Sequence, residues 1–420
     1  MNRINKRLCI SILATSILLG AVAAHGDAVT DWNAIMEATV APANAFAQAR
    51  SAAIVQLSVF EAVNAIEGDY EPYLGTIAAR HRASPDAAAI VAAHRTLVTL
   101  FPGSADTLDT LQAHSLSAIP DGAAKNNGVA VGEAAAAAML LLRANDDSAL
   151  AASVPYTPGT EPGAWQPTPP AFAPAFLPGW GSVTPFGLRE GSQFRVPPPP
   201  ALFTHRYAMD YNEVKLVGRV DSPFRPQDRT DVAHFYAATT PVLTWNPVAR
   251  QVSAARGKTL SENARIFALL AMAIADSSIA VFESKYYYSY WRPVTAIEAG
   301  GIDGNHLTDP DEGWLPLITT PAFPSYPSAH ASLSGGARAV LERAFGHHHL
   351  AITLSNPALP GVVLHYTAWA QITHDIDEAR VYGGIHFRYD QEAGALQGSH
   401  VGRYILRHYL RSADDDNDDE

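Results

Sequence analysis

The stretch ARIFALLAMAIADSSIAVF, residues 264–282, is apolar on every side of a helical repeat, with only Arg265 and Asp276 bringing charge into it. Such a helix has no face to offer to water, so other elements must wrap it. The two charges and the flanking pattern make it a buried core helix rather than a membrane span. The rest of the chain supplies the wrapping. Residues 46–66, 85–101, 123–143, 208–216, 231–237, 261–289, 332–345, 367–378 and 389–410 carry helix formers with broadly helical apolar spacing. Ser261, with Glu262 and Asn263, reads as the start of the longest helix. Strand signals are few and scattered, and no repeat of 20–50 residues is present. The pattern is overwhelmingly helical, which predicts an all-α chain.

Residues 1–24 read as an export signal: Arg3, Lys6 and Arg7 precede an apolar run to Ala21, and small residues follow at Val22 to Ala24. The expectation is an exported protein, periplasmic or secreted. Its single cysteine, Cys9, lies in that signal, so disulfide and thiol chemistry are excluded from the remainder. Removing the signal takes three of the 29 basic residues and none of the 41 acidic ones. So acidic a chain is a poor partner for nucleic acid or an anionic membrane surface. Residues 413–420 form an acidic tail that reads as solvated and disordered. Between an N-terminal helical half (25–152) and a C-terminal helical region (204–412), residues 153–203 are dense in proline, with Trp165, Phe172, Phe176, Trp180 and Phe186 interleaved. So many aromatics oppose disorder. The segment reads as an ordered wrap, either lining a substrate funnel or joining two helical layers.

Three clusters in the C-terminal region carry candidate chemistry. KYYYSYWRP begins at Lys285. Seven residues span nearly two helical turns, so Lys285 and Arg292 would share one face, about 20° apart, with Pro293 making Arg292 the last residue of that helix. Two cations on one face repel unless an anion lies between them; two surface cations lying past the tyrosines is the alternative. PSAH, from Pro327 to His330, stands at a helix entrance, where free N–H groups and the positive dipole end suit an oxyanion. A Pro-Ser turn capping a structural helix would use the same residues. In RVYGGIHFRYD, from Arg380, the pair Gly383-Gly384 breaks a helix or lets the backbone approach a ligand closely. His386 and Asp390 are four apart, so on a following helix the carboxylate would fix the imidazole tautomer.

Taken together, Lys-x6-Arg-Pro, Pro-Ser-x-His and Arg-x5-His-x3-Asp, in this order, resemble the signature of the superfamily of vanadium haloperoxidases and type 2 phosphatidic acid phosphatases. The resemblance spans residues 285–390, with Ala329 where the family usually has Gly and Ala379 where it usually has Ser. TPAFPSYPSAH, from Thr320, is similar to the vanadium chloroperoxidase form of the second motif, and Phe323 falls where those enzymes place a phenylalanine near the presumed halide site. The resemblance implies helix bundles with the site at one end. It implies orthovanadate held by Lys285, Arg292, Arg380, Ser328 and the Ala329 N–H, with vanadium bound to His386 and His330 moving protons. Hydrogen peroxide, a halide and a small organic acceptor would be its partners. In an acid phosphatase on the same scaffold, needing no cofactor, His386 would instead attack the phosphorus of a phosphate ester, with His330 as acid and base. A silent oxyanion-binding relative is the third reading. The pocket wall separates the first two: dry and aromatic for a halide, wide and polar for a phosphomonoester.

Lesser candidates are the run His347-His348-His349, expected in an exposed loop, and His374-Asp375 near the third motif. Asp276 and Glu283 are candidate partners of a pocket arginine or of another helix. Glu61 and Asn64 are expected as buried polar partners of another helix. The carboxylate partner of Arg380 and the oligomeric state stay open.

Overall fold

The structure, a computed structural model, describes residues 26–413. The signal at 1–24 and the tail from Asp414 onward lie outside the described residues. Thirteen α-helices and one β-hairpin make up the described chain. They are α1 (Ala28–Val40), α2 (Ala45–Glu67), α3 (Pro85–Leu100), α4 (Ala105–Ser117), α5 (Ala123–Leu142), α6 (His205–Val217), α7 (Gln227–Ala237), α8 (Pro241–Arg256), α9 (Leu260–Tyr288), α10 (Pro293–Glu298), α11 (Ala329–Phe345), β1 (His348–Ser355), β2 (Val363–Ala368), α12 (Trp369–Tyr382) and α13 (Arg388–His408). The chain is mostly helical, as its pattern predicts.

Helix α9 is the axis. It starts one residue earlier than Ser261 suggested, because Thr259 and Glu262 form a reciprocal capping box. From Ala264 to Phe282 every residue except Arg265 is buried. Helices α2, α8, α11 and α13 all pack on it. Each fully buried Leu, Ile or Phe contributes about 1.5–3 kcal/mol. Asp276, fully buried at its centre, pairs with no arginine of the later clusters. Its carboxylate accepts the backbone N–H groups of Phe186, Gly187 and Leu188 at 2.6–2.9 Å, which ties the proline-rich segment to the core. Glu283 likewise pairs with Arg195 rather than with a pocket cation. Trp180 adds a bond to Ser278 Oγ at 3.0 Å.

Small residues bring α11 and α13 together. A side chain at Gly398 would put its Cβ 1.8 Å from the Ser332 carbonyl oxygen, and one at Gly394 would sit 2.4 Å from that of Ser328. This close approach lets the Ser328 N–H donate to the Asp390 carbonyl at 2.8 Å, joining the second and third motifs directly.

Three expectations need correction. Lys285 and Arg292 do not share a helix. Helix α9 ends at Tyr288, Ser289 turns left-handed (φ 48°), and Arg292 is the N-cap of α10. Ser289 holds that turn by accepting the Trp165 N–H at 2.7 Å and by contacting the Tyr156 hydroxyl. The three histidines are exposed as expected, but His348 and His349 open strand β1 rather than a loop. The hairpin pairs Ile352 with Tyr366 and turns Leu350, Ile352 and Leu354 inward by simple alternation. Glu61 and Asn64 serve the loop after their own helix, not a neighbour: Glu61 accepts the Tyr73 N–H at 2.6 Å, and Asn64 brackets the Tyr70 backbone.

Candidate active site

The three motifs converge through local backbone devices. Ser328 caps α11, its hydroxyl oxygen accepting the Ala331 N–H, so the hydroxyl proton is left to donate outward and the first N–H groups of α11 have no intrahelical acceptor. Gly383 closes α12, and Gly384, at φ 79°, turns the chain so that His386 arrives just before α13. His386 therefore precedes that helix rather than riding on it. Asp390 sits in the first turn of α13, where a carboxylate is favoured, and accepts the Phe387 N–H at 3.1 Å.

His386 Nδ1 lies 2.8 Å from Asp390 Oδ2. With the carboxylate accepting there, the neutral ring carries its proton on Nδ1 and leaves a lone pair on Nε2. That nitrogen faces the Arg292 guanidinium, whose Nη1 is 3.1 Å away. Arg292 is anchored by the carbonyls of Phe323 and Ile385, both at 2.8 Å. Lys285 donates to the carbonyls of Pro324 and Ser325 at 2.8 and 2.7 Å. Lys285, Arg292 and Arg380 are all buried. Burial lowers Lys285 well below the usual lysine range, pulls Arg292 down to about 9 and Arg380 to about 10. Both guanidinium groups stay charged near neutrality.

His330 and His386 share this surrounding. Burial holds each far below the ordinary imidazole value, and Lys285, Arg292 and Arg380 push both the same way. One cluster thus holds two guanidinium cations, the Lys285 amine and two neutral imidazoles. Arg292 Nη2, Arg380 Nε and Nη2, and His330 Nε2 are buried with no hydrogen-bond partner. Unpaired buried donors of this kind are rare and costly. Among the described residues no carboxylate pairs with Arg380; the charged or polar group felt there is the Tyr236 phenol. A tetrahedral oxyanion would satisfy the guanidinium donors together, and its hydroxyl could donate to His330 Nε2, so the residues present fit orthovanadate or phosphate. Burial also raises the Asp390 carboxyl, opposed by the Ser325 hydroxyl and the nearby cations.

One wall of the cluster is aromatic. Lys285 Nζ and the Arg292 guanidinium stand 5.1 and 4.9 Å from the centre of the Phe323 ring. Phe323 packs on Phe282 at 5.2 Å, on Phe46 at 6.3 Å and on Phe176 at 6.4 Å. Phe176 comes from the proline-rich segment, its N–H bonded to the Ala322 carbonyl and its own carbonyl to Tyr286. The segment thereby packs against the aromatic side of the cluster through Phe176. His330 and Phe323 are half-buried and mark the open side.

The motifs did not point to Ser325, whose hydroxyl donates to Asp390 Oδ2 at 2.5 Å. A serine in a Pro-rich turn gives no signal in sequence beyond its place between Phe323 and His330. Phe46 and Phe282 were equally silent, being ordinary core residues by pattern. His374 is exposed, and Asp375 bonds Tyr366 and Arg229 rather than any residue of the cradle.

The fold and the cluster together define a mostly helical protein with buried cationic side chains gathered at one centre. Residues 265–415 match the family model of the VCPO second helical-bundle domain. Vanadium chloroperoxidase of Curvularia inaequalis is 28% identical over 126 residues, covering 25% of this chain and 20% of that enzyme, so the chain spans about a fifth of the curated relative. The crystal structure of the first bacterial vanadium-dependent iodoperoxidase is similar across 92% of this chain and 96% of its own, with a TM-score of 0.77 and 24% identity. A holo-type bacterial vanadium-dependent chloroperoxidase covers 87% and 92%, with a TM-score of 0.70 and 18% identity. The matched segment makes residues 265–415 similar to the vanadium chloroperoxidase helical bundle, and the solved structures share the fold across most of the described chain.

Proposed function

We propose that this protein is an exported vanadate-dependent haloperoxidase, oxidising a halide with hydrogen peroxide and one proton to hypohalous acid and water. Lys285, Arg292, Arg380, Ser328 and the Ala329 N–H would hold vanadate, and His386 Nε2 would bind the metal. When bound, the group supplies Lewis-acid activation of peroxide without changing its oxidation state. The chain supplies the rest. Asp390 keeps the His386 proton on Nδ1, so Nε2 is available without a deprotonation step. His330, neutral and with Nε2 buried and unpaired, takes the peroxide proton and returns one to the departing oxygen. Arg292 and Arg380 stabilise the negative charge that develops during transfer.

The observation that carries this reading over a phosphatase is the wall. The cations face Phe323 within about 5 Å, backed by Phe46, Phe176 and Phe282, which leaves a dry surface suited to a weakly hydrated anion. The metal-free protein should oxidise iodide or bromide with peroxide only after orthovanadate is added, and should hydrolyse phosphomonoesters feebly. Robust hydrolysis without vanadate-dependent halide oxidation would establish the phosphohistidine enzyme instead. Oxyanion binding with neither activity would establish the silent relative.

A further inference from the structure

Arg380 is buried, and a buried charge is costly unless something compensates it. The Asp390 carboxylate supports the charge on Lys285 and on Arg292. Arg380 instead feels the Tyr236 phenol. Helix α7 carries Tyr236 in its last turn and packs on α12, which carries Arg380.

The Tyr236 hydroxyl belongs to a longer chain. It lies 2.9 Å from the hydroxyl of Tyr366 on β2, and the Tyr366 hydroxyl donates to Asp375 Oδ2 at 2.9 Å. Asp375 Oδ1 in turn accepts from Arg229 at 2.8 Å. Both phenols are buried, so water does not compete for these bonds. The direction of the chain follows from its protons. A carboxylate only accepts, and each phenol has one hydrogen to give. Tyr366 gives its hydrogen to Asp375, so it accepts from Tyr236. Tyr236 has then spent its own, and its oxygen offers only lone pairs to other neighbours. That oxygen is the negative end of two aligned hydroxyl dipoles, each polarised by the next. Asp375 cannot serve Arg380 directly. The two stand five residues apart on α12, about 140° around the helix.

We propose that Asp375 is the carboxylate partner of Arg380 at one remove, acting through the hydroxyls of Tyr366 and Tyr236. The relay orients the guanidinium without occupying it. Arg380 Nε and Nη2 stay unpaired and free for the oxyanion, whereas a carboxylate in contact would have claimed such a pair of donors. Tyr236, Tyr366 and Asp375 are thus positioning residues. The inference rests on the cluster binding a tetrahedral oxyanion, which the haloperoxidase and phosphatase readings share.

Titration calorimetry of the metal-free protein with inorganic phosphate and with orthovanadate tests it. Tyr236→Phe and Asp375→Asn should each weaken both anions about tenfold. The double variant should bind no more weakly than Tyr236→Phe alone, because one route carries both effects. A magnetic-resonance signature separates this from a merely structural role. The Arg380 Nε–H resonance, identified by its absence in Arg380→Lys, should move on Asp375→Asn in the parent and stay in place on a Tyr236→Phe background. Losses that multiply in the double variant would overturn the inference. So would unchanged affinity in either single variant, or an Nε–H resonance indifferent to Asp375→Asn. If Tyr236→Phe does not fold, the half-buried Asp375→Asn site decides by affinity and resonance alone. A parent that binds neither anion would overturn the oxyanion reading of the cluster, and the relay with it.

Discussion

Asp390 Oδ2 stands between two side chains from separate motifs, 2.8 Å from His386 Nδ1 and 2.5 Å from Ser325 Oγ. One carboxylate oxygen therefore sets the imidazole tautomer and is itself held by a neighbouring hydroxyl. Oriented histidines lose roughly 10–100-fold in affinity when the orienting group is removed. Asp390→Asn should weaken binding of orthovanadate and of inorganic phosphate by about that factor, as read by titration calorimetry on the metal-free protein. Unchanged affinity would mean that the tautomer is fixed elsewhere.

Ser325→Ala removes the shortest bond to that carboxylate and leaves a buried acceptor one donor short. The cost should be about 1–3 kcal/mol of unfolding free energy, the usual penalty for a buried polar group losing its partner. Urea unfolding at near-neutral pH measures it. A loss no larger than that of an exposed Ser→Ala control would show that the bond contributes nothing to the fold.

Arg380 permits a sharper separation of binding from stability. It is buried, its Nε and Nη2 have no partner, and no described carboxylate pairs with it. Such an uncompensated charge destabilises the anion-free protein. Arg380→Met should therefore raise the unfolding free energy of the ligand-free protein by about 1–2 kcal/mol. It should also abolish stabilisation by phosphate or vanadate. For the parent, ligand at about 100 times its dissociation constant adds about 2.7 kcal/mol. Thermal unfolding with and without phosphate reads both effects, and a variant less stable than the parent when ligand-free would refute the argument.

Why the motifs were legible and their surroundings were not follows from how each is built. Ser328, His330, His386 and Asp390 depend on short-range devices, a Ser cap and a Gly-Gly stop, that have recognisable spellings. Lys285 and Arg292 were misassigned to one helix because a left-handed serine is unusual. Ser289 adopts that turn only through tertiary contacts with Tyr156 and Trp165. Helices α1, α4 and α8 gave weak patterns for different reasons: α4 buries only Leu108, and α8 carries Pro247 inside it. The wall residues Phe46 and Phe282 are core aromatics by pattern, and only the packing of α2 on α9 turns them toward the cations.

Glu61 gives the stability a pH dependence away from the site. Burial raises its carboxyl to about 7 from an ordinary 4.5, against the opposing bonds from the Tyr73 and Leu74 backbone. A carboxyl raised in the native state favours the protonated form there. Its contribution is whole below about 4.5 and is lost as pH climbs through about 7, because the unfolded chain ionises first. The difference is worth at most about 3 kcal/mol. Asp276, raised to about 6 by burial, acts with the same sign. Glu61→Gln keeps an acceptor for the Tyr73 N–H but cannot ionise. It should match the parent in acid and lose less stability between about pH 4 and about pH 8, the difference being about 1–3 kcal/mol over that interval. Urea midpoints across the interval measure it. Parallel curves for the two proteins would show that Glu61 titrates normally in the native state.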